Sequence, residues 1–189
     1  CVRLVGGKPV LVPTRAEDEF KLTVEELEAR VTDKTKALLI GYPNNPTGTV
    51  MDKESLLEIA KFAEKHDLVV ISDEIYCDLT YEGEHICFAS LPEMEERTIV
   101  MNGFSKSYAM TGLRVGYICG PKAILESIYK VHQYEILCAS VTSQYGAITA
   151  LKECETDVKN MFNEYVSRRE LVYRALVDMG LSVFKPKGA

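Results

Sequence analysis

The sequence lacks the features that would place it in a membrane, on nucleic acid or outside the cell. No apolar run approaches the roughly 20 residues that a membrane-spanning helix needs, and the chain shows no secretory leader pattern. The 22 lysines and arginines are scattered, so no basic run faces consecutive phosphates, and the formal net charge of -6 is moderate. We therefore expect neither a membrane nor a nucleic acid as a partner.

The six cysteines are too dispersed to indicate a metal or redox site. No two of them form a C-x-x-C pair, and none has a histidine at metal-ligand spacing, so we expect no metal. We predict that they are reduced, mostly buried, small hydrophobic residues of a cytoplasmic protein. For the three isolated histidines, His66, His85 and His132, the prediction is an ordinary structural role.

What the sequence does contain is enough apolar material for one core. The chain has 189 residues, of which 47% are hydrophobic, and a chain of this size buries about 70% of its unfolded surface. Strands are predicted at residues 9–12, 36–40, 68–71, 98–101, 115–119 and 181–184, and helices at residues 23–31, 53–66, 121–135, 143–151 and 157–179. Strand 36–40 is a continuous apolar run, which is typical of burial on both faces. The alternation of strands and helices predicts an α/β fold with a mostly parallel sheet.

Three polar residues follow the carboxyl ends of three predicted parallel strands. They are Asn45, Asp73 and Lys106. Open α/β sheets bind ligands in the crevice outside those ends, so these side chains are predicted to converge on one site. A lysine at the end of a buried strand loses hydration, which disfavours its ammonium form and makes the amine a better nucleophile.

The segment 102–116, NGFSKSYAMTGLRVG, resembles the pyridoxal-phosphate attachment signature of the class I and II aminotransferases. Two further segments, YPNNPTG at 42–48 and SDEIY at 72–76, are similar to two other motifs of that family and occur in the family's order. The resemblance covers essentially the whole chain. It implies a three-layer α/β/α fold around a mostly parallel sheet, and pyridoxal 5'-phosphate as the cofactor.

By this resemblance, four residues have specific roles around the cofactor. Lys106 would bind it as an imine and, once a substrate amine displaces the lysine, would move a proton from the substrate's alpha carbon. Asp73 would pair with the protonated pyridine nitrogen, while Tyr76 and Asn45 would donate hydrogen bonds to the phenolic oxygen. Lys106, Asp73 and Tyr76 are thus the predicted catalytic residues, and all four residues are predicted to bind the cofactor.

The predicted phosphate site depends on residues that follow the predicted strand at residues 98–101. Arg114 resembles the family's phosphate-binding arginine, whose planar guanidinium suits a phosphate dianion. Ser105 is a further cofactor-binding candidate. Many family members carry a serine three residues before the lysine, where this sequence has Gly103, so that hydroxyl contact is absent or supplied differently.

The resemblance also implies where the domains of the chain begin and end. Residues 1–179 would form the cofactor-binding large domain without its N-terminal part, and residues 180–189 would begin a small C-terminal domain. Family members are about twice as long, and neither their upstream glycine-rich phosphate loop nor their arginine for the substrate carboxylate is found here. We expect a fragment that is inactive alone, from a protein that is a homodimer when active, with residues 132–143 facing the partner.

The predicted function is that of an aminotransferase, which moves an amino group between an L-amino acid, aspartate-like or related, and a 2-oxo acid. Two alternatives share the motifs. Pyridoxal-phosphate-dependent carbon-sulfur beta-lyases have the same fold, and some transcription regulators carry an aminotransferase-like sensor domain. The sequence leaves the donor amino acid open.

Overall fold

Four short strands form one sheet at the centre of the chain. The computed structural model describes all residues, Cys1–Ala189. Strands β1 (Ala37–Gly41), β2 (Val69–Asp73), β3 (Thr98–Gly103) and β4 (Gly116–Cys119) lie side by side in that order. Strand β2 is parallel to both β1 and β3, whereas β4 is antiparallel to β3. The predicted α/β fold with a mostly parallel sheet is therefore confirmed.

Five α-helices accompany the sheet, namely α1 (Val24–Glu28), α2 (Lys53–Lys65), α3 (Lys122–Glu135), α4 (Val141–Glu153) and α5 (Glu155–Asp178). The first two begin where capping residues predict. Thr23 Oγ1 accepts a hydrogen bond from the Glu26 amide at 3.4 Å, and Asp52 Oδ1 accepts one from the Ser55 amide at 2.8 Å. None of the helices combines the length and the apolar character needed to cross a bilayer.

The main core lies between α2 and one face of the sheet. Ile59 and Ala63 of α2 are fully buried, and they belong to the same cluster as Leu38 and Ile40 of β1. On the opposite face of β1, Leu39 is 67% exposed. The prediction that this strand is buried on both faces is wrong, because no element of the chain covers that side of it.

Two predicted strands and the predicted burial of the cysteines are also wrong. Residues 9–12 form no strand and are largely exposed, because no sheet edge lies beside them to accept their backbone hydrogen bonds. Residues 181–184 form no strand either; Phe184 instead packs edge-on against Phe20, with ring centroids 5.8 Å apart. All six cysteines are free, but three are exposed and three are only half-buried. One of the exposed three is Cys119 in β4, a strand in which every residue is exposed.

Helices α3 and α5 bury no residue, and only α4 contributes to a second, smaller core. Ala147 and Ala150 of α4 pack against Phe104, which directly follows β3. This second core supports the segment from β3 to β4, which includes Lys106.

Candidate active site

The carboxyl ends of β1, β2 and β3 lie along one edge of the sheet. Gly41, the last residue of β1, is in register with Asp73, the last residue of β2, and Asp73 is in register with Met101 of β3. The chain then leaves the sheet through the two turns that carry Asn45 and Lys106. The topology thus brings the segments that contain the predicted site residues to a common edge.

Three of the predicted residues lie together at this edge. The Asn45 side-chain amide donates a hydrogen bond to the Tyr76 hydroxyl, with 2.9 Å between Nδ2 and the phenolic oxygen. Lys106 Nζ lies 5.3 Å from the centroid of the Tyr76 ring, within the range of a cation–π interaction. The Lys106 amine forms no ion pair and no hydrogen bond within the chain, so it has no carboxylate that would hold it as a salt bridge.

The turn that carries Asn45 is held by its own neighbours. Asn44 Nδ2 donates to the Gly41 carbonyl at 3.1 Å, and Thr47 Oγ1 donates to Asn44 Oδ1 at 2.9 Å. The Gly48 amide closes the turn by donating to the Asn44 carbonyl at 2.7 Å. The peptide bonds before Pro43 and Pro46 are both cis. This local network fixes the start of the turn to the end of β1.

The C-terminal residues of the chain pack against the same turn. The amides of Lys187 and Gly188 both donate to the Gly48 carbonyl, at 2.7 and 3.0 Å, and Lys187 Nζ lies 2.7 Å from Glu19 Oε2. On the other side, the Tyr81 amide donates to the Lys187 carbonyl at 2.7 Å. A segment distant in sequence therefore bridges the Asn45 turn and the loop that follows Tyr76.

Asp73 is half-buried at the end of β2. Its Oδ1 accepts a hydrogen bond from the Ile75 amide at 3.2 Å, and its Oδ2 has no partner within the chain. No hydrogen bond joins its carboxylate to Tyr76 or Lys106. One carboxylate oxygen therefore holds the turn that begins after β2, and the other remains available to a ligand.

Arg114 and Ser105 form no hydrogen bond or ion pair with the other predicted site residues. Arg114 Nη1 donates to the Thr111 carbonyl at 2.8 Å, which leaves most of the five guanidinium N–H donors free. Its backbone is left-handed, with φ of 50°, an uncommon state for a non-glycine residue that is found preferentially at functional sites. Ser105 is half-buried and its hydroxyl forms no hydrogen bond within the chain.

The departure from the family pattern at Gly103 has a steric explanation. A Cβ atom at this position would lie 2.9 Å from Gly116 Cα and 3.1 Å from the Val115 carbonyl oxygen. The backbones of β3 and β4 approach so closely here that a serine requires one of them to shift. The glycine therefore suits the packing of these two strands.

The sequence interpretation missed a buried polar cluster around Glu74, which is only 3% exposed. Burial by itself raises the pKa of this carboxyl, but hydrogen bonds from His85, the Phe88 amide and Ser72, together with the charge of His85, outweigh that effect and leave the pKa below its usual value. The predicted structural role of His85 agrees with this contact. The available signal was the alternation along β2, which places Ser72 and Glu74 on the face opposite Asp73.

No metal site lies among these residues, and a cavity near the start of β1 does not include them. No group of three or more His, Cys, Asp or Glu side chains is arranged to hold a metal ion. This cavity of about 380 Å³ is lined by residues that include Asp33, Lys36 and His66. Those residues precede β1 and β2, so the cavity lies at the opposite edge of the sheet.

Comparison with known proteins agrees with this fold and this arrangement of motifs. The family description "Aminotransferase class I and II" matches residues 1–189. The chain is 50% identical to an aspartate aminotransferase of Pyrococcus abyssi and 49% identical to aromatic-amino-acid aminotransferase 2 of Thermococcus litoralis, in each case over 192 aligned positions, 100% of this chain and 49% of the relative. The crystal structure of an aromatic aminotransferase from Pyrococcus horikoshii superposes with a TM-score of 0.97 at 51% identity, covering 100% of this chain and 51% of that one. The chain thus spans about half the length of the relatives it matches, and it belongs to the family of class I and class II aminotransferases.

Proposed function

We propose that this chain forms the cofactor-binding part of a pyridoxal-phosphate-dependent aminotransferase. The reaction would move an amino group between an L-amino acid, aspartate-like or related, and a 2-oxo acid. The observation that carries this proposal is the cluster of Asn45, Tyr76 and Lys106 at the carboxyl edge of the sheet. Membership of the aminotransferase family supports the same conclusion.

The side chains present fit the chemistry of pyridoxal phosphate. An amine, a phenol and an amide lie together, and the 2.9 Å contact between Asn45 and Tyr76 supports a shared role of these two donors at a phenolic oxygen. Asp73 has a free carboxylate oxygen for a protonated ring nitrogen, and Arg114 has free N–H donors for a phosphate. The lone amine of Lys106 meets the requirement for a covalent attachment point.

When bound, pyridoxal phosphate supplies a conjugated ring that accepts electrons from the alpha carbon of the amino acid. The residues of the chain hold and direct that chemistry. Asp73 would keep the ring nitrogen protonated by placing a negative charge beside it, and Tyr76 with Asn45 would hold the phenolic edge. Lys106 Nζ, once released, is the base that would carry the alpha proton.

The names of two relatives support a substrate class. One relative is called an aspartate aminotransferase and another an aromatic-amino-acid aminotransferase. We therefore propose an acidic or aromatic L-amino acid as the donor and a 2-oxo acid as the acceptor.

We also propose that the active protein is a homodimer. Four apolar side chains from the last turn of α3 to the first turn of α4 are strongly exposed, namely Tyr134 at 93%, Ile136 at 64%, Leu137 at 78% and Val141 at 61%. Exposed apolar surface of this kind is typical of sites that another protein surface covers. The apparent mass of the active protein in sedimentation tests the assignment.

The attachment of the cofactor can be tested on the chain directly. The protein is incubated with low concentrations of pyridoxal phosphate, reduced with borohydride and mapped by peptide mass spectrometry. We expect the reduced adduct on Lys106 and its loss in Lys106→Ala. Lys122, whose side chain is 89% exposed, serves as the matched control, because an ordinary surface amine has no site around it. Equal labelling of Lys106 and Lys122 would contradict the proposal.

The reaction type is tested by absorbance in the complete protein that carries these residues. Single amino acids are added without any oxo acid, and 2-oxoglutarate is added afterwards. A spectral change that the oxo acid reverses indicates transamination and identifies the donor. Accumulation of ammonia and an oxo acid would instead indicate a lyase, and a spectral shift without turnover would indicate a sensor.

A further inference from the structure

Glu74 is a buried, charged residue that lies beside the candidate site and faces away from it. It stands between Asp73, the last residue of β2, and Tyr76. Successive residues of an extended chain point to opposite faces, so Glu74 shares the buried face with Ser72 while Asp73 lies on the other. A buried carboxylate is costly unless its oxygens are well bonded.

The carboxylate of Glu74 is bonded on both oxygens. Oε1 accepts hydrogen bonds from Ser72 Oγ and from the Phe88 amide, each at 2.9 Å. Oε2 lies 2.7 Å from His85 Nε2. Phe88 is only 1% exposed and belongs to the main core. The side chain of Glu74 is therefore attached to a part of the protein that cannot move easily.

The backbone of Glu74 is tied to the sheet and to the next turn. Its amide donates to the Met101 carbonyl of β3 at 2.9 Å, and its carbonyl accepts from the Cys77 amide at 2.9 Å. The turn closed by this second bond contains Tyr76. One residue thus joins the end of β2, strand β3, the turn that presents Tyr76 and the loop that ends at Phe88.

We propose that Glu74 is a positioning residue for the cofactor site, which holds the turn at residues 74–77 against Phe88 so that Asp73 and Tyr76 keep their places relative to Lys106. The inference rests on the proposed function, because Asp73 and Tyr76 matter for binding only if the cofactor is pyridoxal phosphate. This role depends on the length of the Glu74 side chain, because its carboxylate must extend as far as the Phe88 amide. His85 is the one basic side chain in contact with this carboxylate.

Two substitutions of Glu74 separate the effect of side-chain length from the effect of charge. Glu74→Gln keeps the length of the side chain and an acceptor oxygen for Ser72 and Phe88, and its amide can donate to a neutral His85. Glu74→Asp keeps the charge but shortens the side chain by one carbon–carbon bond, about 1.5 Å, which breaks bonds of 2.9 Å. A positioning role predicts that the aspartate variant is the more impaired of the two.

The experiment measures two quantities in the full chain. The first is the dissociation constant of pyridoxal phosphate, obtained by equilibrium dialysis. The second is hydrogen exchange at the Cys77 and Phe88 amides in the cofactor-free protein, obtained by mass spectrometry. For Glu74→Asp we expect binding to weaken by about tenfold or more and both amides to exchange about tenfold faster, because lost supporting contacts loosen a site. For Glu74→Gln we expect a change of about threefold or less, since the reach is kept.

The matched control is Glu28, another glutamate that contacts a histidine. Its carboxylate oxygens lie 3.2 Å from His66 Nε2, but it is exposed and His66 precedes β2, at the sheet edge opposite the candidate site. Glu28→Asp and Glu28→Gln should leave the dissociation constant unchanged. Wild-type binding by Glu74→Asp would overturn the inference, and so would a Glu74→Gln variant that is impaired more than Glu74→Asp.

The inference can fail separately from the proposed function. If the unmodified chain forms no adduct on Lys106, the proposed function is refuted. Hydrogen exchange in the cofactor-free protein still decides whether Glu74 holds the turn at residues 74–77. Should Glu74→Asp not fold, Ser72→Ala replaces it, because this variant removes one bond to Oε1 and keeps the other two donors. We then expect binding about threefold weaker, and unchanged binding and exchange would overturn the positioning role.

Discussion

Replacement of Gly48 by alanine tests the close packing between the Asn45 turn and the C-terminal residues. Gly48 has φ of +71°, and a Cβ atom there would lie 2.4 Å from Pro186 Cβ and 2.9 Å from Pro186 Cα. The left-handed backbone costs an alanine about 1–2 kcal/mol. Relief of the overlap requires Pro186 to move and costs about 1–3 kcal/mol more. The free energy of unfolding should therefore fall by about 2–5 kcal/mol in Gly48→Ala.

Gly83 provides the matched control for this prediction. Its φ is +84°, but a Cβ atom there has no heavy atom within 4 Å. Gly83→Ala should therefore lose only the backbone contribution, about 1–2 kcal/mol. The assay is urea unfolding followed by circular dichroism, with stability compared through the midpoint at constant slope.

A double-mutant cycle isolates the steric contribution. Pro186→Gly removes the atom closest to the new Cβ, so Gly48→Ala should cost at least about 1 kcal/mol less in that background. Equal losses for Gly48→Ala and Gly83→Ala, together with no coupling to Pro186, would refute the reasoning. That result would mean that the C-terminal residues do not rest on the turn in solution.

Three further predictions concern stability. Burial raises the pKa of Tyr42 to about 12 from its ordinary value of 10.0, so the stabilisation by its neutral form is complete below pH 10.0 and is lost as pH rises through about 12. In urea unfolding followed across that pH range, the free energy of unfolding of Tyr42→Phe should fall by about 3 kcal/mol less than that of the unsubstituted protein. Tyr129→Phe, at a 57% exposed position, should show the same fall as the unsubstituted protein. Ile59→Ala, at a fully buried position in α2, should cost about 2–5 kcal/mol in thermal unfolding, and a loss below about 1 kcal/mol would contradict its place in the core. Asp52→Ala should cost about 1 kcal/mol by leaving the Ser55 amide without its cap, and Asp52→Asn, which keeps an acceptor, should cost much less in the same assay.

Local chemistry explains which elements could be predicted from the sequence. Thr23 and Asp52 cap α1 and α2 because an N-cap interaction spans only three residues, and the apolar repeat of α2 places Ile59 in the core. The convergence of Asn45 and Lys106 on one edge followed from the order of strands and helices. Both kinds of inference need only short-range patterns or a general rule of topology.

Long-range contacts explain what the sequence could not predict. The hydrogen bond between Asn45 and Tyr76 joins residues 31 apart, and the bond from the Phe88 amide to Glu74 joins residues 14 apart. Leu39 was expected to be buried because its strand is apolar, yet burial requires a neighbour that packs over it, and none does.

The sequence by itself determined the family, the order of the four central strands and the candidate site residues, because motifs and periodicity are properties of consecutive residues. Only the tertiary structure decided which of those residues meet, that the Arg114 guanidinium bonds to the Thr111 carbonyl and to none of the other candidate residues, and that Glu74 connects four segments. The physical reason is that a hydrogen bond depends on distance and angle in space, and the packing of the whole chain sets both.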